Sequence, residues 1–238
     1  MFEKNIPYHI ITHAVEGKKL FNNEEDNLRF VFYSYVANTG HPASNLRRQD
    51  IKKAVRAILK GEELSNGFII GEHPPLVYSL SFAQVVSHHH DVLISNTEDG
   101  ISKYLQKRNT GFAKYFNLKY GRRDNLFSKR RRKIISIRTE PQLYAVIRYV
   151  NIKNSLDVYQ PNWVDKGLEN KREALNFLNN HQFSSLLDIT GKRNSKLLAP
   201  REILEQYLIK EITGEDYDKF INDYLEEKLV PFKPFFLE

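Results

Sequence analysis

The segment at residues 77–95, VYSLSFAQVVSHHHDVLIS, places a run of three histidines between two apolar stretches. Its bulky and β-branched residues, preceded by the HPP turn at 73–75, predict one long strand or a pair of strands with a kink between them. Alternate residues of a strand share a face, so His88 and His90 point one way and His89 points the other. The histidine run is therefore predicted to be divided between the two faces of a sheet.

The facing pair, His88 and His90, has two interpretations. Two imidazoles at this spacing on one face of a strand can bind a single metal ion, and imidazole pairs accept manganese, zinc or nickel. Alternatively, both are partly exposed polar residues on a solvated face, because two histidines alone form a weak motif. His89, on the opposite face, is predicted to pack beneath a helix.

The residues before the histidine segment show strand and helix patterns. Residues 5–15 predict an opening strand, and residues 22–36 predict a helix with an Asn start and early acids. The turn-rich residues 37–45 end that helix, and an amphipathic helix is predicted over 47–64. A short strand is predicted at 66–72. Two helices therefore precede the histidine segment.

The residues after the histidine segment continue the mixed pattern. A helix is predicted over 100–121, a basic β-hairpin or strand pair over 125–139, and a helix over 141–154 that begins at a proline. Further helices are predicted beyond residue 160. The order of the elements predicts an α+β sandwich with antiparallel strands and helices on one side of the sheet.

The composition is that of a globular protein. The chain has 238 residues, of which 41% are hydrophobic and 27% are charged, and it contains no cysteine. Disulfides and Cys-based zinc sites are excluded, and a reducing, cytoplasmic location is expected. The apolar runs are too short to span a bilayer, and the first residues do not have the pattern of a signal peptide. We expect no membrane partner.

Positive charge is concentrated between Lys103 and Arg138, where Asp124 is the one acid in a long series of bases. The net charge of the chain is +7. An uneven distribution of this kind predicts a phosphate-binding surface. The alternative interpretation is a solvated face that has no partner.

Aromatic residues are interleaved with these bases. Phe112, Tyr115 and Phe116 have helical spacing, which favours core residues. Tyr120 and Phe127 are candidates for stacking on unpaired bases of a nucleic acid.

Five segments, in the same order along the chain, resemble the single-tyrosine HUH transposases, and in particular the REP-associated tyrosine transposase branch of that insertion-sequence family. PYHIITHAVEGKKLFNNEEDNLRF (7–30) is similar to the family's opening strand, turn and helix. VVSHHHDVLI (85–94) stands where the family has its His-hydrophobic-His strand. ISKYLQKRNTGFAKYFNLKYGRRDNLFSKRRRKIISI (101–137) is similar to its helix, Tyr-Gly turn and basic hairpin. IRYVNIKN (147–154) and QFSSLLDITG (182–191) resemble its Arg-Tyr-Ile-His-Leu-Asn-Pro and Trp-Ser-Ser-Tyr segments.

The resemblance implies a fold and a domain organisation. The fold is the ferredoxin-like, RRM-like HUH fold, in which helices pack on an antiparallel sheet of four to five strands. The implied HUH domain covers residues 1–158, with an inserted helix around 47–64. A helical C-terminal extension covers residues 159–238.

The resemblance also implies a reaction and a site. His88 and His90 would bind a divalent metal, Mg²⁺ or Mn²⁺, and Tyr149 would be the nucleophile. The implied activity is that of a transposase that nicks and joins single-stranded or hairpin DNA through a 5′-phosphotyrosine intermediate. The DNA-binding residues would come from the basic block: Lys107, Arg108, Lys114, Arg122, Arg123, Lys129, Arg130, Arg131 and Arg132. A monomer and a homodimer are both compatible with the family.

The chain departs from the family pattern beside the tyrosine. Spacing alone would not single out Tyr149 among 13 tyrosines. The family carries an amide one helical turn after its tyrosine, as a third metal ligand, whereas this chain has Lys153 there. A charged lysine cannot bind a metal, and Asn151 and Asn154 are the neighbouring amides that would substitute after a small shift.

Two other functions stay open. A non-catalytic or domesticated nucleic-acid-binding protein on the same fold would bind hairpins without cleaving them. A metal-dependent hydrolase of small phosphate esters would share the metal ligands, but the basic block argues against it.

Overall fold

The computed structural model describes residues 2–15, 18–39, 51–64, 74–207, 221–222 and 224–225. In chain order, the elements of this part of the chain are β1 (Tyr8–His13), α1 (Glu24–Asn38), α2 (Ile51–Lys60), β2 (Val77–Val85), β3 (His88–Ser95), α3 (Gly100–Lys119), β4 (Lys133–Ser136), α4 (Glu140–Arg148), a π-helical turn (Tyr149–Lys153), α5 (Asn154–Tyr159), α6 (Trp163–Lys166), α7 (Lys171–Asn180), α8 (Leu186–Ile189) and α9 (Arg201–Tyr207).

The strands form one antiparallel sheet in the order β2-β3-β1-β4. β1 pairs with both β3 and β4, whereas β2 pairs with β3. The connection from β1 to β2 passes over β3, and the connection from β3 to β4 passes over β1, which is the split β-α-β arrangement of ferredoxin-like folds. The predicted α+β class with an antiparallel sheet is confirmed.

The histidine segment is a hairpin, so the prediction of two strands with a kink is the correct alternative. β2 ends at Val85, β3 begins at His88, and the two residues between them form a tight turn. The carbonyl of Val86 in this turn accepts hydrogen bonds from the backbone N–H groups of Leu20 and Phe21, at 2.9 and 3.2 Å. These bonds hold the hairpin end, and with it His88, against the segment that follows β1.

Helices cover both faces of the sheet, so the prediction of helices on one side is wrong. α1 and α3 pack over the face that carries Ile10 and Leu93. α4, the π-helical turn and the C-terminal helices pack over the face that carries Leu80 and Val92. Both faces of the central strands carry buried residues, such as Ile10 on one face and Val92 on the other. A strand pattern that mixes apolar and polar residues on both faces does not show which faces are covered.

The predicted helices before the sheet hairpin are largely confirmed. α1 begins after Asn23, whose side chain accepts the N–H of Asp26. α2 packs on α1 through Val55 and Ile58. Residues 47–50 of the predicted inserted helix and the predicted strand at 66–72 lie outside the described residues.

The predicted basic hairpin over 125–139 is a single strand instead. β4 pairs with β1, and upstream of it Phe127 makes one isolated bridge with Ala14. The bases at 129–132 lie in a turn. A run of consecutive charged residues has no alternating apolar positions with which to cover a core, so it does not form a buried strand.

The predicted helix over 141–154 is divided into α4, the π-helical turn and α5. Thr139 caps α4 by accepting the N–H of Gln142 at 3.3 Å, and Pro141 lies in the first turn as predicted. In the π-helical turn the N–H of Asn154 donates to the carbonyl of Tyr149. The ring closed by this hydrogen bond therefore contains one residue more than the ring of an α-helical turn.

The C-terminal part completes the second helical layer. Trp163, Leu178 and Leu204 belong to the same apolar cluster as Val92 of the sheet, so this cluster extends across the predicted boundary at residue 158. The segment 183–185 pairs with the edge of β2, through Gln84 N–H to Phe183 O at 3.0 Å and the reciprocal bond between Ser185 and Phe82. Such pairing covers an edge that would otherwise be open. Within the described ranges, no helix is long and apolar enough to cross a bilayer.

Candidate functional site

Four histidines from the two central strands lie together on one face of the sheet. His88 and His90 belong to β3, and His9 and His13 belong to β1. The ring centroids of His88 and His90 are 4.8 Å apart, those of His13 and His88 are 5.1 Å apart, and those of His9 and His90 are 5.2 Å apart. The sequence prediction contained His88 and His90. It missed His9 and His13, although both lie at alternate positions of β1 and therefore share one face.

The Nδ1 atom of each predicted metal ligand has a hydrogen-bond partner. The Nδ1 of His90 lies 3.0 Å from the Nε2 of His9, and the Nδ1 of His88 lies 3.1 Å from the hydroxyl of Ser87. The Nε2 of His90 is buried and has no hydrogen-bond partner among the described residues. That nitrogen is consequently the atom of His90 with which a ligand could interact.

Burial keeps this cluster neutral. Desolvation lowers the pKa of His9 to about 4, against a partial opposing effect of Asp91. Desolvation, followed by the fields of His13 and Lys153, lowers the pKa of His88 to about 3, and the pKa of His90 is also lowered well below its usual value. Neutral imidazoles keep the lone pair that metal binding requires.

Tyr149 lies at the first position of the π-helical turn, against the same histidines. Its ring centroid is 5.7 Å from that of His90 and 6.0 Å from that of His9, and the residue is 2% exposed. The fold thus brings together Tyr149 and the two predicted ligands, which are separated by about sixty residues of sequence. Their burial shows that the tyrosine and His90 face the interior between the sheet and the helix.

The residues after Tyr149 have different surroundings from those expected. Lys153 lies with its Nζ atom 5.4 Å from the Tyr149 ring centroid and pairs with Asp157 at 3.0 Å. Asn151 bonds to Ser81, to Ser185 and to the carbonyl of Ile147, at 2.7, 2.7 and 2.8 Å. Its amide is therefore fully used in joining the helix to β2.

Asn154 is different, because its side chain is fully buried and neither amide atom has a hydrogen-bond partner among the described residues. It bonds through its backbone N–H to the carbonyl of Tyr149, the role that the fourth residue after the tyrosine has in an α-helix. Because the turn contains one extra residue, Asn154 forms the backbone hydrogen bond to Tyr149 that Lys153 would form in a regular α-helix.

The donor set fits a divalent metal in part. Over the described ranges, no three His, Cys, Asp or Glu side chains are grouped so as to hold an ion. The two imidazoles, with the unpaired Nε2 of His90, supply two nitrogen donors. Asn154, whose backbone N–H bonds to Tyr149, carries an amide oxygen of the kind that magnesium and manganese accept.

The opposite face of β3 carries a separate buried polar cluster. His89 is 2% exposed, packs on Phe30 of α1 and bonds to Asp91 at 2.8 Å, which confirms it as a packing residue beneath a helix. Arg108 is fully buried, with its Nη1 atom 2.9 Å from the Asp91 carboxylate. Burial alone would raise the pKa of Asp91, but Arg108 and His89 lower it to about 2.

The burial of Arg108 and its pairing with Asp91 argue against the predicted contact with DNA. Its neighbours in sequence place Arg108 in the basic block, but its position on the inner side of α3 turns it towards the sheet. Lys107 and Lys114 are exposed on α3, in the helical layer opposite the face that carries His88.

The other predicted DNA-binding residues differ in their availability. Arg122 is half-buried and pairs with Asp124 at 2.6 Å. The rest are exposed and lie after α3: Arg123, Lys129, Arg130, Arg131 and Arg132. Arg131 is close enough to the histidine cluster to lower the pKa of both His13 and His88.

A groove of about 330 Å³ adjoins the histidine cluster. It is lined by Lys18, Lys19, Arg131, His13 and Ser87, together with apolar residues. The sequence prediction missed Lys18 and Lys19, because they lie outside the basic block and reach the site through the turn after β1. The aromatic residues of α3 do not contribute to this surface, since Phe112 and Phe116 are core residues as predicted.

Comparisons with known proteins give one similar solved structure. It is a REP-associated tyrosine transposase bound to a REP hairpin, with a TM-score of 0.44 and 11% sequence identity over 91% of this chain and 93% of that chain. No family model matches the chain, and no curated protein matches it. The fold and the site together define an α+β protein with an antiparallel sheet and a buried histidine–tyrosine cluster.

Proposed function

We propose that the chain is a single-tyrosine HUH enzyme that nicks and joins single-stranded DNA and acts on hairpin or palindromic substrates, as a transposase does. The observation that carries the proposal is the convergence of Tyr149 with His88 and His90 on one face of the sheet. A tyrosine beside two neutral imidazoles is an arrangement for phosphoryl transfer at a metal site. The sequence resemblance stated above is the second support.

The proposed step is a transesterification at the phenol of Tyr149. A bond forms between the Tyr149 oxygen and phosphorus while the bond from phosphorus to the 3′ oxygen breaks. The phenol loses its proton to a base or to solvent, and the departing 3′ oxygen takes one up. The product is a 5′-phosphotyrosine that conserves the bond energy needed for joining, because the reverse reaction restores the phosphodiester.

His88 and His90 would hold Mg²⁺ or Mn²⁺ in this proposal. A divalent ion bound there supplies polarisation of the scissile phosphate and offsets negative charge in the transition state. Asn154 is our candidate for the third protein ligand, because the π-helical turn gives it the hydrogen-bonding position that an amide occupies in the resembling family. Lys153 would then act as a fixed positive charge held by Asp157.

The partner would be single-stranded or hairpin DNA, which the exposed bases on the histidine side can bind through its phosphates. Arg131, Lys18 and Lys19 line the groove that adjoins the histidine cluster and are the candidates for these contacts. A monomer and a homodimer are both compatible with this proposal. A cytoplasmic location is in keeping with the lack of cysteine.

The test is formation of a covalent protein–DNA adduct. The protein is incubated with 5′- and 3′-labelled hairpin single strands in Mn²⁺ or Mg²⁺, and the adduct is resolved on denaturing gels and located by mass spectrometry. We expect an adduct at Tyr149 that Tyr149→Phe abolishes. Tyr144→Phe on the preceding helical turn is the matched control and should keep it. An adduct that persists in Tyr149→Phe would contradict the assignment.

A second candidate is favoured by the burial of the cluster. Tyr149 is 2% exposed and His90 is 1% exposed, so a strand reaches them only if the covering segments move. A DNA-binding protein on the same fold without cleavage would not need such movement. It predicts salt-dependent hairpin binding by the wild type and no adduct with any divalent ion.

A further inference from the structure

We propose that His9 is a positioning residue that fixes the tautomer of His90. In this arrangement the Nδ1–H of His90 donates to the Nε2 of His9, so that the Nε2 of His90 presents a lone pair. The inference rests on the proposed metal-binding role of His90, and it assigns to His9 a function that no motif in the sequence indicates.

Among the described residues, His9 is the hydrogen-bond partner of the His90 ring. The two nitrogens are 3.0 Å apart, and the rings are stacked at an interplanar angle of 22°. His9 is 0% exposed and His90 is 1% exposed, so water does not compete freely for this bond. In metal sites the second nitrogen of a ligating imidazole is usually held by a carboxylate, a carbonyl or water. Here a neutral imidazole takes that place.

A hydrogen bond between two neutral imidazoles can run in either direction, and the surrounding charges favour one of them. Lys153 places positive charge near His90, whereas Asp91 places negative charge near His9. When His90 donates, the lone pair lies on the Nε2 of His90 and the outer N–H lies on the Nδ1 of His9, which has no hydrogen-bond partner among the described residues. This dipole is aligned with the field, and the opposite tautomer pair is not.

The Nδ1 atom of His88 also has a hydrogen-bond partner, but this partner is a hydroxyl group. Its Nδ1 lies 3.1 Å from the Ser87 hydroxyl, which can accept the N–H and leave the Nε2 atom for a ligand. A hydroxyl accepts or donates by rotating, so it sets the tautomer of His88 less strictly than His9 sets that of His90. The buried pair is therefore the one on which the binding geometry depends.

The direct test is a long-range ¹H–¹⁵N spectrum of the metal-free wild type labelled at histidine. We expect His90 to be protonated at Nδ1 and not at Nε2, with its signals assigned by their loss in His90→Asn. Observation of a protonated Nε2 on His90 would overturn the proposal. Since this experiment uses the wild-type chain, it does not depend on whether any His9 variant folds.

The second test measures binding of Zn²⁺ and Mn²⁺ alone by calorimetry, with folding checked by circular dichroism. His9→Phe keeps an aromatic ring but removes the acceptor, and we expect about 10- to 100-fold weaker binding, the usual loss for an outer-shell partner. His9→Gln places an amide near the position of Nε2 and should recover most of the affinity. His181→Phe, at a buried histidine stacked on Phe177, is the control and should change little.

The outcomes separate this inference from the proposed function. If the wild type binds no metal, or if His88→Ala leaves binding unchanged, the proposed metal site fails. If the wild type binds and His88→Ala abolishes binding while both His9 variants match the wild type, the site stands and the role of His9 fails.

Discussion

Arg108 and Lys107 are sequence neighbours with opposite surroundings. Arg108 is fully buried on the inner face of α3 and pairs with Asp91, while Lys107 is exposed on the same helix. A count of positive charges treats them alike, because it contains no information on which helical face meets the sheet. The apolar spacing of Tyr104, Leu105 and Phe112 marks that face, and Arg108 lies on it.

Replacing these two residues should separate their roles. Arg108→Ala leaves the Asp91 carboxylate buried without its cation, and we expect a loss of about 3–5 kcal/mol in the free energy of unfolding. Lys107→Ala should change this free energy by no more than about 0.5 kcal/mol. Urea denaturation followed by circular dichroism measures both. Equal effects of the two substitutions would contradict the buried pair.

The π-helical turn is the element on which the candidate site depends. The sequence YVNIKN (149–154) continues the helical pattern of α4 and contains nothing that predicts an enclosed extra residue. Packing of Val150 and Ile152 into the core and bonding of Asn151 to β2 hold the helix in this register. As a consequence, the backbone N–H of Asn154, rather than that of Lys153, bonds to the carbonyl of Tyr149.

Two asparagines of this segment provide a matched pair of variants. Asn154→Ala should weaken Mn²⁺ binding, measured by calorimetry, while leaving the stability nearly unchanged, because its amide makes no hydrogen bond among the described residues. Asn151→Ala should leave Ser81 and Ser185 without their partner and lower the stability by about 1–3 kcal/mol. Weak metal binding in Asn151→Ala alone would contradict the assignment of Asn154.

One face of the sheet carries the candidate site, and the other face carries the buried polar cluster of His89, Asp91 and Arg108. The histidine face adjoins the basic groove with Arg131, whereas Lys107 lies in the opposite layer. If DNA follows the groove, Arg131→Ala should weaken hairpin binding and lower the slope of log K against log[salt] by about 0.7 to 0.9. Lys107→Ala is the control and should leave the slope unchanged. Fluorescence anisotropy over a salt series measures both.

Buried neutral histidines also make the stability of the whole molecule depend on pH. The pKa of both His9 and His181 is lowered from 6.5 to about 4 by burial, so between these values the unfolded chain binds protons that the folded chain does not. Their contribution is complete above pH 6.5 and is lost as the pH falls to about 4, at up to about 1.4 kcal/mol per pH unit for each group.

The measurement is urea denaturation at pH 7.5 and at pH 5.0, in the presence of a chelator so that metal binding does not contribute. We expect lower stability at pH 5.0. His181→Gln should reduce the difference between the two values, since it removes one of the groups. An unchanged difference in that variant would show that His181 is not protonated on unfolding.

Local sequence patterns predict the identity of most elements and the faces on which the histidines lie. Alternation in β3 separates His89 from His88 and His90, and helical periodicity places α1 and α3, because both patterns depend on local backbone geometry. Four other features depend on the folded arrangement of the chain. Helices cover both faces of the sheet, Arg108 is buried, His9 contacts His90, and the backbone N–H of Asn154 bonds to the carbonyl of Tyr149. These features arise from contacts between segments distant in sequence, and local periodicity carries no information about which distant segments meet.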